Sequence, residues 1–313
     1  MNFLYPAIFL TLGVIFVNGW TDAPNAIVSC VCSKTFSMKK AVLLASVCNF
    51  LGVFIISLIN TSVAKNVFEV AKITDRRAIC AALLSVIVLA VGAWTMGIPT
   101  SESHAIIASL IGAGLATRAS IDIKTISYSL IGLFLSVTVG FLLGYHIYGY
   151  WQKKIVGKKK LMRMQVFGAA FMAFMHGAQD GQKFISIILL ITGVTGEFGI
   201  PLWAAVLCSF VMGLGTMAGG GRIIRKVGEQ MVELNLKQGV SADIAGGISL
   251  LLSTFFGLPV STTHVKTSAV MGCGYVSGGL SKKTASEMLA AWVITFPACF
   301  GMGYIFTKIF LKF

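Results

Sequence analysis

GIPTSESH at residues 97–104 returns as GLPVSTTH at residues 257–264. A second motif is duplicated in the same order, with GWTDAPNA at 19–26 finding a weaker partner in GAQDGQKF at 177–184. The separations are 160 residues (97 to 257) and 158 residues (22 to 180), so the chain contains an internal repeat. Gly/Pro-interrupted apolar segments at corresponding places in two halves are the sequence mark of a substrate site in repeat-built membrane proteins.

Hydrophobic residues make up 56% of the 313-residue chain and charged residues 12%, with a mean hydropathy of +0.86. That balance places the chain in a bilayer. Apolar stretches at 41–60, 78–97, 125–151, 200–221 and 288–307 each approach the roughly 20 residues that cross hydrocarbon. Shorter runs at 105–117, 184–196 and 244–257 read as half-helices or re-entrant arms. Mixed-charge stretches at 65–77 and 222–243 read as interfacial connectors. In the second, Ile223, Val227, Met231 and Leu234 recur at the spacing of a helix lying along the membrane surface. The first apolar run lacks a basic leader and runs into the 19–26 motif, so it reads as a membrane helix and not as a cleaved signal.

The net charge of +14 does not point to nucleic acid, because of where the charge lies. Lys153, Lys154, Lys158, Lys159, Lys160 and Arg163 share one connector with no acidic residue among them. The positive-inside rule makes that connector cytoplasmic. The expected organisation is a first repeat at 1–150, a basic connector at 151–163 and a second repeat at 164–313. Seven cysteines lack metal-ligand spacing and read as small buried hydrophobes. Gly140/Gly144 and Gly215/Gly219 read as helix-packing positions.

Once charges in loops are set aside, Asp22, Glu102, Asp180, Lys183 and Lys266 remain in apolar territory, all within or just beyond the repeated motifs. A charge at bilayer depth costs about 2.5–3.5 kcal/mol on insertion scales, so such residues line a cavity or an ion path. In the Gly-Pro-Ser motifs, Gly97 and Gly257 supply unusual backbone angles, and Pro99 and Pro259 disfavour helix in the preceding residue. Thr100, Ser101 and Ser103 in one copy, and Ser261, Thr262 and Thr263 in the other, follow each break. Hydroxyls at a helix N-terminus, with its unpaired N–H groups, make a seat for an oxyanion. Asp22 and Asn25, three residues apart, offer hard oxygens to a small cation. In the other copy Asp180 pairs with Lys183 at the same spacing, and that ammonium stands either in place of a cation or as an anion contact.

The combination GxxDxxNA, HGAxDGQK and two copies of GxPxSxxH resembles the inorganic phosphate transporter (PiT) family, over nearly the whole chain. The resemblance implies an all-α polytopic membrane protein of two inverted structural repeats with broken helices and re-entrant hairpins, with about 10 to 12 membrane segments. It also implies movement of phosphate, or in some members sulfate, with sodium or protons. On that resemblance Asp22, Asn25 and Asp180 are coupling positions and candidate sodium ligands, with Gln179 and Glu102 beside them. Thr100, Ser101, Ser103, Ser261, Thr262, Thr263 and Lys183 surround the anion. Many members carry Asn where this chain has Thr21, Gln179 and Lys183. That departure breaks the symmetry of two sodium sites, and the DGQK form resembles branches associated with proton coupling.

His104 and His264 read as hydrogen-bonded hairpin braces, and His146 as a structural residue. Glu102 reads as a second proton acceptor or a partner of Lys266 or Lys183. An intramembrane Ser-His-Asp hydrolase explains neither the duplication nor adjacent Ser103 and His104, whose side chains diverge on a helix. A purely anionic channel is opposed by Asp22 and Asp180. The expectation is therefore a phosphate symporter of the plasma (inner) membrane, with sulfate permease as the alternative. It needs no cofactor beyond co-transported H+ or Na+ and has the lipid bilayer as partner. Association as a homodimer is left open.

Overall fold

The computed structural model describes residues 3–70, 73–193, 200–219 and 221–313. Residues 194–196 of the 184–196 run, residues 71–72 of the 65–77 stretch and residue 220 lie outside the described residues. Among those described there is no strand, only one isolated bridge between Val232 and Leu280. The helices are α1 (Leu4–Thr21), α2 (Pro24–Cys32), α3 (Met38–Ile59), α4 (Ser62–Glu69), α5 (Arg76–Thr95), α6 (Glu102–Thr117) and α7 (Ile123–Trp151). They continue with α8 (Lys158–Thr192), α9 (Leu202–Met217), α10 (Gly221–Arg225), a π-helical turn (Lys226–Met231), α11 (Leu236–Phe255), α12 (Thr262–Ser277) and α13 (Lys282–Phe310).

The repeat is written into helix lengths. α5 and α11 both have 20 residues, α6 and α12 both have 16, and α7 and α13 both have 29. Helices from the two halves interleave, α12 on α7 and α6 on α13, α3 on α8 and α1 on α9. Five segments are long and apolar enough to cross a membrane: Leu4–Cys32, Met38–Ile59, Arg76–Thr95, Ile126–Trp151 and Lys282–Phe310. A sixth is formed if the bent pair Leu202–Met217 and Gly221–Met231 counts as one span. The protein is a multi-pass membrane protein, and its surface agrees. Tyr5, Phe9, Phe134, Phe167, Leu202 and Val293 are exposed, whereas Asp22, Glu102, Asp180, Lys183, Asp243 and Lys266 are buried.

Three expectations from the sequence need correction. The run at 184–196 is not a separate half-helix, since α8 passes without a break through the whole HGAQDGQK motif. In the first half Pro24 occupies the start of α2 and the helix breaks at Asp22–Ala23, whereas the second copy has Gln182 at that place and keeps its backbone N–H. The 222–243 stretch is not one surface helix either. It ends as a helix at Met231, α11 begins at Leu236 under an Asn235–Gln238 capping box, and Asp243 lies fully buried. Of the four glycines read as packing positions, Gly219 has a positive φ, and a Cβ there would meet nothing within 4 Å, so it makes no close approach.

The other three pack closely. A Cβ on Gly140 would come 2.6 Å from the carbonyl oxygen of Val265, one on Gly144 2.2 Å from that of Ala269, and one on Gly215 2.1 Å from that of Phe16. These contacts seat α7 on α12 and α9 on α1. Gly144→Ala should therefore lower thermal stability in detergent by about 1–3 kcal/mol, the usual penalty of overpacking. Gly149→Ala, with open space around its Cβ, should be neutral in the same measurement.

Candidate functional site

Both Gly-Pro-Ser motifs build the same helix–break–helix unit. Gly97 and Gly257 each adopt φ +69°, and their amides close the ends of α5 and α11 by donating to the carbonyls of Trp94 and Thr254 at 2.9 and 3.2 Å. After the break, Ser101 Oγ accepts the backbone N–H of His104 at 3.1 Å, and Ser261 Oγ that of His264 at 3.2 Å. Both serines are buried and face their own helix N-termini. The hydroxyls that reach across to other elements are Ser103, Thr262 and Thr263.

Asp180 and Lys183, one turn apart on the unbroken α8, lie against both motifs. Lys183 Nζ donates to Asp180 Oδ1 at 2.6 Å, to Ser103 Oγ at 2.5 Å and to the carbonyl of Val260 at 2.6 Å. Asp180 Oδ2 accepts from Thr262 Oγ1 at 3.0 Å and from Asn18 Nδ2 at 3.2 Å. Asn18 Nδ2 also lies 3.4 Å from Asp22 Oδ2, and Asn25 Nδ2 donates to Thr263 Oγ1 at 3.3 Å. Glu102, in the first turn of α6, accepts from Thr21 Oγ1 at 2.6 Å. A ligand atom from each of Asp22, His176 and Asp180 falls within 4.8 Å of the others. His176 Nδ1 is fixed by Asn49 Oδ1 at 3.0 Å.

The fold therefore gathers Asp22, Asn25, Glu102, Ser103, Asp180, Lys183, Thr262 and Thr263 at the meeting point of α1, α2, α6, α8 and α12. Four residues of the expected set stand apart from that hydrogen-bonded group, Ser101 and Ser261 because they cap their own helices. Gln179 is engaged by the carbonyl of Leu258 at 2.7 Å and by Thr254 Oγ1 at 2.7 Å, where it braces the second break. Thr100 is buried beside the first break. Of the histidine braces, His104 Nδ1 meets Ser101 Oγ at 2.6 Å, but His264 makes no ring hydrogen bond and is held by packing. Its ring lies 4.0 Å from Trp292 and 4.5 Å from His104 between centroids.

The buried polar atoms around this centre are not all satisfied. Asn18 Oδ1, Asn25 Oδ1 and Glu102 Oε2 lack a hydrogen-bond partner, and His176 Nε2 lies 3.4 Å from Asp180 Oδ2. Buried acceptors of this kind are costly unless a donor or a cation completes them. Formally the cluster holds three carboxylates against one lysine. Lys266 does not reach it, nor does it pair with Glu102. It pairs with Asp243, which by charge pattern closes the 222–243 connector but is buried in the fold. A signal was available, because Asp243 is the only Asp, Glu, Lys or Arg between residues 238 and 265.

A family described as the phosphate transporter family matches twice, over residues 18–164 and 158–303. The chain belongs to the phosphate transporter family. It is 35% identical over 315 residues to a probable low-affinity inorganic phosphate transporter of Bacillus subtilis, covering 95% of this chain and 94% of that one. It is 32% identical to a protein of the same description from Rhizobium meliloti, covering 90% and 89%. The low-affinity inorganic phosphate transporter PitB of Escherichia coli is 22% identical, with 94% and 95% covered. Among solved structures, one described as a sodium-dependent phosphate transporter has the same fold, with a TM-score of 0.86, 19% identity, and 100% and 99% of the two chains covered. These likenesses set the Ser-His-Asp hydrolase reading aside, and the protein is not an enzyme.

The Asp180–Lys183 pair gives a direct test of the cluster. Lys183→Met should leave Asp180 buried without its cation and lower thermal stability in detergent by about 3–5 kcal/mol. The double variant Asp180→Asn/Lys183→Met should recover most of that loss. A Lys183→Met protein as stable as the parent would show that the ammonium does not compensate the carboxylates.

Proposed function

We propose that the chain is a secondary symporter of inorganic phosphate, driven by protons or sodium ions, with the anion held between the N-termini of α6 and α12. The two halves rock around that site to expose it to either side in turn. The observation that carries this reading is the charge of the cluster, with Asp22, Glu102 and Asp180 buried around Lys183 alone. Such a cluster repels an anion until protons or cations neutralise it, so loading of the coupling ion and loading of phosphate are linked. Once neutralised, the positive ends of α6 and α12 and the hydroxyls of Ser103, Thr262 and Thr263 favour an oxyanion.

Lys183 favours protons over sodium. Its ammonium lies on Asp180 Oδ1, where a cation would otherwise bind, which leaves Asp22 and Glu102 as acceptors of the coupling proton. A separate observation favours sodium, the unpartnered Asn18 Oδ1 and Asn25 Oδ1 near Asp22, because hard oxygens suit a small cation. Carboxylates beside the anion support phosphate over sulfate, since hydrogen phosphate donates a hydrogen bond and sulfate does not. On this reading the protein sits in the plasma membrane. The basic residues at 153–163 then face the cytoplasm; those from Lys158 onward form the first turns of α8.

Proteoliposome uptake of radiolabelled phosphate tests the proposal, with pH and sodium gradients imposed separately and excess sulfate as competitor. The expected result is accumulation driven by the inward proton gradient and unaffected by sulfate. Asp22→Asn and Glu102→Gln should abolish that accumulation while the proteins still insert. Normal uptake by both variants would remove the coupling assignment. Accumulation driven by sodium alone would transfer the coupling to the Asn18–Asn25 oxygens, and suppression by sulfate would change the substrate.

A further inference from the structure

Behind the two Gly-Pro-Ser motifs lies a second buried polar cluster, separate from the central one. Ser29 follows Asn25 by one turn on α2, and Lys266 follows Thr262 by one turn on α12, so the cluster is about 6 Å further along each helix. Asp243 on α11 accepts from Lys266 Nζ, from Gln165 Nε2 on α8, and from Ser29 Oγ at 2.6 Å. Lys266 Nζ also reaches Ser29 Oγ at 3.3 Å. All four side chains are fully buried. Gln165 Oε1 is buried and has no hydrogen-bond partner. Gly239 keeps room for it, because a Cβ there would come within 2.5 Å of that oxygen.

A buried ion pair can serve only to hold helices in register, but the repeat argues against that here. Ile106 stands two residues after His104 as Lys266 stands two after His264, and Leu83 is the eighth residue of α5 as Asp243 is of α11. Ile187 and Ala7 stand in the same relation to Ser29 and Gln165. Ala7, Leu83, Ile106 and Ile187 are all buried and belong to one apolar core. The first copy of this helix arrangement is thus packed with no charge at all. Apolar packing of this kind is often as stable as a buried ion pair or more so, so the fold itself does not require Asp243 and Lys266.

We propose that Asp243, Ser29 and Gln165 form a monovalent-cation seat whose resident cation is the ammonium of Lys266. A carboxylate, a hydroxyl and an amide converging at full burial are the hard oxygen ligands of a small cation. A half-turn of the Gln165 amide exchanges Nε2 for Oε1 and completes the set. With Lys266 in place, the seat ties α2 of the first half to α8, α11 and α12 of the second, and it stays filled whatever the ionic composition outside. The proposal does not depend on which ion drives uptake at Asp22.

The test removes the tethered cation and asks whether a free one replaces it. Lys266→Ala and Lys266→Ser, purified in sodium chloride, are compared by thermal unfolding after exchange into sodium, potassium or choline chloride at equal ionic strength. Each is also combined with Asp243→Asn, and with Asp22→Asn to remove any sodium response from the central site. The expected result is a Tm several degrees higher in sodium than in choline for at least one Lys266 variant. That gain should persist with Asp22→Asn and vanish with Asp243→Asn. Equal stability of both variants in all three salts would overturn the seat, as would failure of both to fold in sodium. Recovery only on acidification would also overturn it, since protonation of Asp243 would then be the whole remedy, and a gain lost with Asp22→Asn would assign the cation to the central site.

Discussion

One ammonium joins the parts of this protein that the chain keeps far apart. Lys183 Nζ meets Asp180 on its own helix, Ser103 in the first turn of α6 and the carbonyl of Val260 before α12. In a low-dielectric interior a lysine without those partners would carry a large desolvation penalty. The two motif helices are consequently held with their N-termini near the same carboxylate. That arrangement depends on α8 being continuous, because only an unbroken turn sets Asp180 and Lys183 side by side.

The two halves share a frame and differ in chemistry. Equal helix lengths, equal φ at Gly97 and Gly257, and equivalent serine caps show one backbone plan used twice. Within that plan the first half breaks its helix at Asp22 and presents backbone and carboxylate, whereas the second keeps its helix and presents Asp180 with a built-in cation. Behind the motifs the contrast recurs, with an apolar core around Leu83 and Ile106 in one copy and the Asp243–Lys266 cluster in the other. Duplication supplies a symmetric scaffold, and substitution makes its two sides electrically different.

Much of this was legible in the sequence because the bilayer imposes strong rules. Apolar stretches at 41–60, 78–97, 125–151 and 288–307 correspond to long helices, since backbone groups in hydrocarbon must be paired within a helix. The GxPxS breaks were legible for a local reason, as glycine at positive φ and a serine cap act over only a few residues. The errors arose where local composition and three-dimensional placement diverge. Asp243 closes a stretch rich in charge and so resembled a surface residue, yet α11 turns it inward to Lys266. The DGQK motif resembled a break because its partner copy is one, but without a proline the helix runs on. Gln179 sits beside Asp180 in sequence, while successive helical residues point in different directions.

By itself the sequence determined the membrane setting, the repeat, the four motif positions and the set of charged residues that lie in apolar territory. These follow from composition, spacing and turn chemistry, which are short-range or additive properties. The tertiary structure alone decided which charges meet. It placed Glu102 with Thr21 and not with a lysine, gave Lys266 to Asp243, and left Lys183 alone among three carboxylates. Such pairings depend on helices separated by up to about half the chain, and the energy of a buried charge is set by the groups that surround it in space.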